Sequence, residues 1–190
     1  MKYIVTNKLA PPFSTLQAAE AKIYMRCVLI YMATIYELCE GGKLKRIEVL
    51  EDDELPVRYI YGTPEFIDWL DNGLPSINHT PEHDSLKPIE QVFSLFSEYE
   101  IGESFPDDRR FKPLTYSPDY YVWEMKTSHV RIFGWFPCKS SFICCYGGDA
   151  NEIKLKSLYS QYILRTQYVR NLLPLDEPKF LSSRKCSDVL

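Results

Sequence analysis

The chain of 190 residues contains no pair of cysteines in C-x-x-C spacing and only three histidines. Structural zinc sites are built from such pairs, so no metal is expected to organise this fold. His79 and His83 stand four apart with Glu82 and Asp84 beside them, but Pro81 breaks any regular helix that would bring them together. The six cysteines, Cys27, Cys39, Cys138, Cys144, Cys145 and Cys186, read as reduced and mostly buried thiols, as in a cytoplasmic protein. Long apolar runs are also missing. The longest uncharged stretch of the N-terminal half, Cys27 to Tyr36, falls well short of the roughly 20 residues that cross a bilayer, so no membrane partner is expected. The N-terminus lacks a basic region followed by an apolar run and a small-residue cleavage site, so no secretory leader is expected. Repeats and low-complexity tracts are absent.

What is present is an uneven distribution of charge. Residues 1–108 carry nine Lys/Arg against nineteen Asp/Glu, a balance of −10, whereas residues 109–170 carry ten against four, a balance of +6. A basic segment joined to an acidic one points to an anion as the ligand of the basic half, phosphate first among candidates. With 45% apolar and 14% aromatic residues the chain has enough side-chain surface to fold around a core.

The pattern of caps and periods predicts an α+β fold: an antiparallel sheet of three to five strands flanked by helices, with an N-terminal strand-plus-helix extension. Met1 to Asn7 reads as a short strand. A helix is expected over 15–40, started at Ser14 with Gln17 completing a capping box and stopped by Gly41-Gly42. Its apolar character on nearly every face predicts burial of Ile23, Val28, Ile30, Met32 and Ile35 in the core, or in a homodimer. Short strands at 44–50 and 57–61 follow. Thr63-Pro64-Glu65 opens a helix over 64–71, and a second helix covers 85–100. From Phe111 the period shortens towards two, giving strands at 111–115, 121–127, 129–136 and 141–147 with turns at Thr127-Ser128 and Pro137-Cys138-Lys139. A last helix spans about 153–172, and Pro174 and Pro178 mark the end of regular structure. The organisation is thus an extension (1–55), a core (56–173) and an irregular tail (174–190).

The strings YIYGTPEFIDWLDNG, RRFKPL, YVWEMKTSHVRIFGWF and SFICCYGGDANEIK, in this order, resemble the RelE/HigB-like toxins, small ribosome-dependent mRNA endonucleases of toxin–antitoxin pairs. The resemblance covers roughly 56–172 and rests on few fixed letters. It implies metal-free and cofactor-free chemistry, in which basic groups hold the scissile phosphate while others move protons to and from the ribose 2′-hydroxyl and the leaving oxygen. Carried over residue by residue, it implies Arg131 as the phosphate clamp and Lys126 as the basic residue of the preceding strand. Lys154 and Lys156 fall near the lysine pair after the last strand, and Tyr159 falls at an aromatic hydroxyl. His129, two residues before Arg131, joins them as a proton carrier sharing its strand face. The implied partners are a helix-turn-helix antitoxin and mRNA on the ribosome.

A plainer reading stands beside each of these. Arg131 pairs with Glu124 instead of a phosphate, and Lys126, Lys154 and Lys156 belong to solvated faces. Tyr120, Tyr121, Trp123, Phe133, Trp135 and Phe136 are divided between base stacking and core. Two departures from the family favour these readings: a sequence pI near 5.5, and acids at Glu124, Asp149 and Glu152 where binding of phosphate asks for cations. The rival function is a catalytically inactive RelE-like module acting through protein contacts, with its acidic N-terminal half as the partner surface.

Overall fold

The computed structural model describes residues 34–51, 53–78, 86–105, 110–114 and 121–190. The expected strand at 1–7, most of the helix over 15–40, the histidine pair at 79 and 83 and Tyr120 lie outside them. Residues 34–40 are helical (α1) and lead through Gly41-Gly42, with Gly42 at φ 68°, into β1 (Lys45–Ile47). The positive φ is why glycine stops the helix there. Of the residues expected to be buried by this helix, Ile35 is, and Leu38 packs beside it.

β2 (Tyr59–Gly62) ends at Thr63, whose hydroxyl accepts the Phe66 N–H and caps α2 (Pro64–Asp68). The helix then widens into a π-helical turn, Trp69–Gly73, and tightens into a 3₁₀ turn, Leu74–Ser76. α3 (Pro88–Glu100) buries Val92, Leu95, Phe96 and Tyr99 and ends beside Gly102 at φ 88°. Four strands follow: β3 (Phe111–Leu114), β4 (Val122–Lys126), β5 (Val130–Cys138) and β6 (Ser141–Asp149).

The strand order is β1-β2-β6-β5-β4-β3, six strands in one mixed sheet. Strands β3 to β6 pair antiparallel, as the short turns between them require, but β2 runs parallel to β6. The expected all-antiparallel sheet of three to five strands is corrected on both counts. Hairpin turns dictate pairing only between neighbours in sequence. β2 leaves the sheet through α2 and α3, and the chain re-enters at the far edge as β3, antiparallel to β2; the three antiparallel steps from β3 to β6 then bring β6 back parallel to β2. β6 is central and buried on both faces, which is why it reads SFICCY, a nearly continuous apolar run.

The turn expected at Pro137-Cys138-Lys139 forms one residue later. Pro137 lies within β5 at a register shift, where no ladder N–H is needed, and Ser140 takes φ 60° in the turn itself. The single helix expected over 153–172 is two helices, α4 (Ala150–Leu155) and α5 (Tyr159–Leu172), broken at Ser157 with φ 53°. The tail also departs from expectation. Phe180 packs against one face of the sheet, Leu181 N–H donates to Phe136 O across the strand end, and α6 (Cys186–Val189) buries Val189 against the other face.

The sheet separates two cores. Val130, Ile132 and Phe136 of β5 face α3, with Trp123, Met125 and Phe142. Phe133 and Trp135 face α5, with Val122, Ile143 and Ile163. Gly134 lies between them, where a Cβ would stand 2.2 Å from Ile143 O and 2.6 Å from the Phe142 ring. Backbone cannot retreat as a side-chain tip can. Gly134→Ala is therefore expected to lose about 2–3 kcal/mol, read as a lower urea midpoint. An unchanged midpoint would show that β5 and β6 are not packed this closely.

Candidate functional site

The residues singled out by the sequence converge only in part. Side chains alternate along a strand, so Glu124 and Lys126 of β4, and Arg131 of β5, point to the α5 face of the sheet. The register sets Lys126 opposite Arg131 and Lys112 of β3 opposite Glu124. α5 begins over this end of the sheet and brings Tyr159 down on it.

Glu124 is fully buried at the centre of the group. Its Oε1 accepts the Tyr159 hydroxyl proton at 2.9 Å and lies 3.4 Å from Arg131 Nε. Its Oε2 lies 3.7 Å from Lys112 Nζ. Arg131 Nε also donates to the Tyr159 hydroxyl at 3.3 Å, while Nη1 donates to Thr127 O at 2.5 Å and Val130 O at 2.8 Å. Only 7% of Arg131 is exposed. The expected solvent-facing phosphate clamp is thus corrected. Arg131 is an internal cation whose Nε and Nη1 meet a carboxylate, a phenol and two carbonyls. The cause lies in the register, which sets Glu124 on the same face one strand away in a site with little water; there an unpaired charge of either sign is costly. Burial first, and then the Glu124 charge, raises the Tyr159 pKa above its ordinary value and keeps the phenol a donor.

His129 does not share the Arg131 face. It precedes β5, and its Nδ1 lies 3.0 Å from Gln91 Nε2 and 3.3 Å from Gln91 Oε1 of α3, on the opposite side of the sheet. The expectation assumed that the strand began at 129, whereas the turn from Thr127 rotates His129 away. Lys154 and Lys156 are exposed at the end of α4. Lys156 donates to Glu152 Oε1 at 2.6 Å, and that hydrogen bond raises its pKa. Lys126 is half-exposed. The aromatic cluster is core: Trp123, Phe133, Trp135 and Phe136 are buried, and half-exposed Tyr121 stacks on Phe180 with ring centres 5.3 Å apart.

Of the residues singled out in the sequence, Arg131 and Tyr159 thus lie in contact, beside Glu124, the plainer partner of Arg131. The sequence reading missed Lys112. The signal for Lys112 was available in the alternation of FKPL, where Phe111 and Leu114 bracket the strand, but its partner depends on the β3–β4 register across the seven residues between the strands. Among the described residues no group of three or more His, Cys, Asp or Glu side chains is arranged to hold a metal ion, and no helix is long and apolar enough to cross a membrane. No protein family, curated protein or solved structure matches this chain.

The geometry fixes what each side chain contributes. Arg131→Ala removes the partner of a buried carboxylate and is expected to cost about 3 kcal/mol. Tyr159→Phe removes one hydrogen bond to it and is expected to cost about 1–2 kcal/mol. Urea unfolding followed by tryptophan fluorescence measures both. Arg131→Ala of wild-type stability would place its guanidinium in solvent.

Proposed function

We propose that this chain is a catalytically inactive RelE-like module that acts through protein contacts. One observation carries the reading: the Arg131 guanidinium is buried and committed to Glu124, Tyr159 and the carbonyls of Thr127 and Val130. A phosphate clamp must offer its donors to the ligand, and two of the three guanidinium nitrogens, Nε and Nη1, are used internally. The surroundings support the same reading. Glu152 holds Lys156, Glu124 offsets the charge of Lys112 and Arg131, and the acidic half of the chain repels a polyanion.

A second reading is favoured by the same group of residues. Here the chain is a ribosome-dependent mRNA endonuclease held in check by an antitoxin. Glu124 lies within hydrogen-bond reach of a hydroxyl and next to two cations, the chemistry that takes a proton from a ribose 2′-hydroxyl and neutralises the phosphate. It requires Arg131 to leave two backbone carbonyls and Glu124 to reach solvent.

Induced expression without any partner separates the readings. The contact module is expected to leave growth unchanged and translated mRNA uncut. Growth arrest with new mRNA 5′ ends, relieved by Tyr159→Phe in a variant that still folds and accumulates to the wild-type level, would establish the endonuclease.

A further inference from the structure

The sheet has two edges, and they are built differently. β3 is closed as a docking edge by Pro113, which has no N–H to offer a further strand. β1 has no proline and, among the described residues, pairs only with β2. Its outer edge presents backbone groups of the kind a further strand would use.

A concavity flanks each end of this edge. Beside Lys45 lies a groove of ≈ 450 Å³ floored by Leu44, Pro64 and Ile67 and rimmed by Asp68 and Asp71. Beyond Ile47 lies a second of ≈ 400 Å³, lined by Glu48, Glu51, Glu54 and Glu100 with Arg46. Glu100 is spent on Arg46, whose Nη2 it meets at 2.7 Å, while the Arg46 guanidinium also stacks on Tyr59 at 4.7 Å. Glu48 lies 3.9 Å from Arg46 Nε, which leaves four carboxylates, Glu51, Glu54, Asp68 and Asp71, and one cation, Lys45, around a strand edge that is open among the described residues.

We infer that the outer edge of β1 binds an extended segment of another protein, apolar at alternate positions and carrying a lysine or arginine near each end. The inference rests on the proposed reading that the chain works by protein contact, and names the partner's chemistry. Main-chain bonds to β1 supply affinity that is indifferent to sequence. The apolar floor beside Leu44 takes one side chain, and the acidic clefts select basic flanks. At about 3.3 Å per residue, a segment of about seven residues spans β1 and reaches both clefts.

The test titrates the isotope-labelled full chain with the capped peptide Lys-Val-Thr-Val-Thr-Val-Lys and with its counterpart carrying glutamate at both ends. The lysine peptide is expected to bind at least about tenfold more tightly, to shift amide signals over 44–48 and to slow their hydrogen exchange. The double variant Glu54→Lys/Asp71→Lys, with one change in each cleft, should abolish the preference without lowering thermal stability. Equal binding of both peptides, no binding, or shifts centred elsewhere would overturn the inference. So would β1 amides already protected in the chain alone. Release of that protection by Lys2→Glu/Lys8→Glu would assign the edge to the chain's own basic start, and dependence on protein concentration would assign it to a second copy. A chain that cuts mRNA yet binds the lysine peptide here sinks the proposed function and leaves this inference standing. A harmless chain that ignores the peptide sinks this inference alone.

Discussion

A carboxylate buried at the centre of a β-sheet cannot stand alone, and Glu124 determines much of what surrounds it. Its desolvation has to be offset by cations and donors held at short range. The neighbouring strands each supply one cation, Lys112 from β3 and Arg131 from β5, and α5 supplies the Tyr159 hydroxyl. This explains why Arg131 turns inward although it sits near a strand end where an arginine ordinarily reaches solvent. It also gives the break at Ser157 a consequence: by ending α4 and starting α5 at Tyr159, the chain lowers a phenol onto the carboxylate. Sheet, helix break and polar cluster are one construction.

That construction bears on function because the same atoms cannot serve two tasks. Each donor given to Glu124 is lost to an external phosphate. The positive balance of residues 109–170, which in the sequence suggests an anion site, is partly withheld from an external ligand: Arg131 and Lys112 are paired with Glu124, Arg170 is buried against Phe180, and Arg165 pairs with Glu65 at the surface. The negative balance of residues 1–108 is not consumed in the same way. Glu51, Glu54, Asp68 and Asp71 remain around β1, at an edge whose backbone is open among the described residues. Charge pattern alone pointed to the basic half; geometry moves attention to the acidic one.

Local signals were legible wherever local physics decides. Thr63-Pro64 starts α2, Gly102 ends α3, and the change of period at Phe111 marks the start of the four-strand meander. Signals failed where partners are distant in sequence. The parallel pairing of β2 with β6 joins Tyr59 to Ser141 across more than eighty residues, and no turn motif encodes it. His129 was placed with Arg131 by counting two along a strand, and a one-residue change in where the strand starts sends it to Gln91 instead. Alternation marked Lys112, but its partner Glu124 was not legible because it is set by register. Within the site, the residue types were readable, but whether a charged group faced a ligand or an internal partner was decided by burial, which alternation leaves open when both faces of a sheet are covered.

The central claim is that Arg131 and Glu124 are partners to each other, not to a ligand. A double-mutant cycle with Arg131→Met, Glu124→Leu and the two combined, read by urea unfolding, tests it most directly. The account predicts a coupling of about 2–3 kcal/mol, with the double variant more stable than either single one because no buried charge is left unpaired. Additive effects, with Arg131→Met alone costing nothing measurable, would contradict it and return Arg131 to the solvent as a free phosphate ligand.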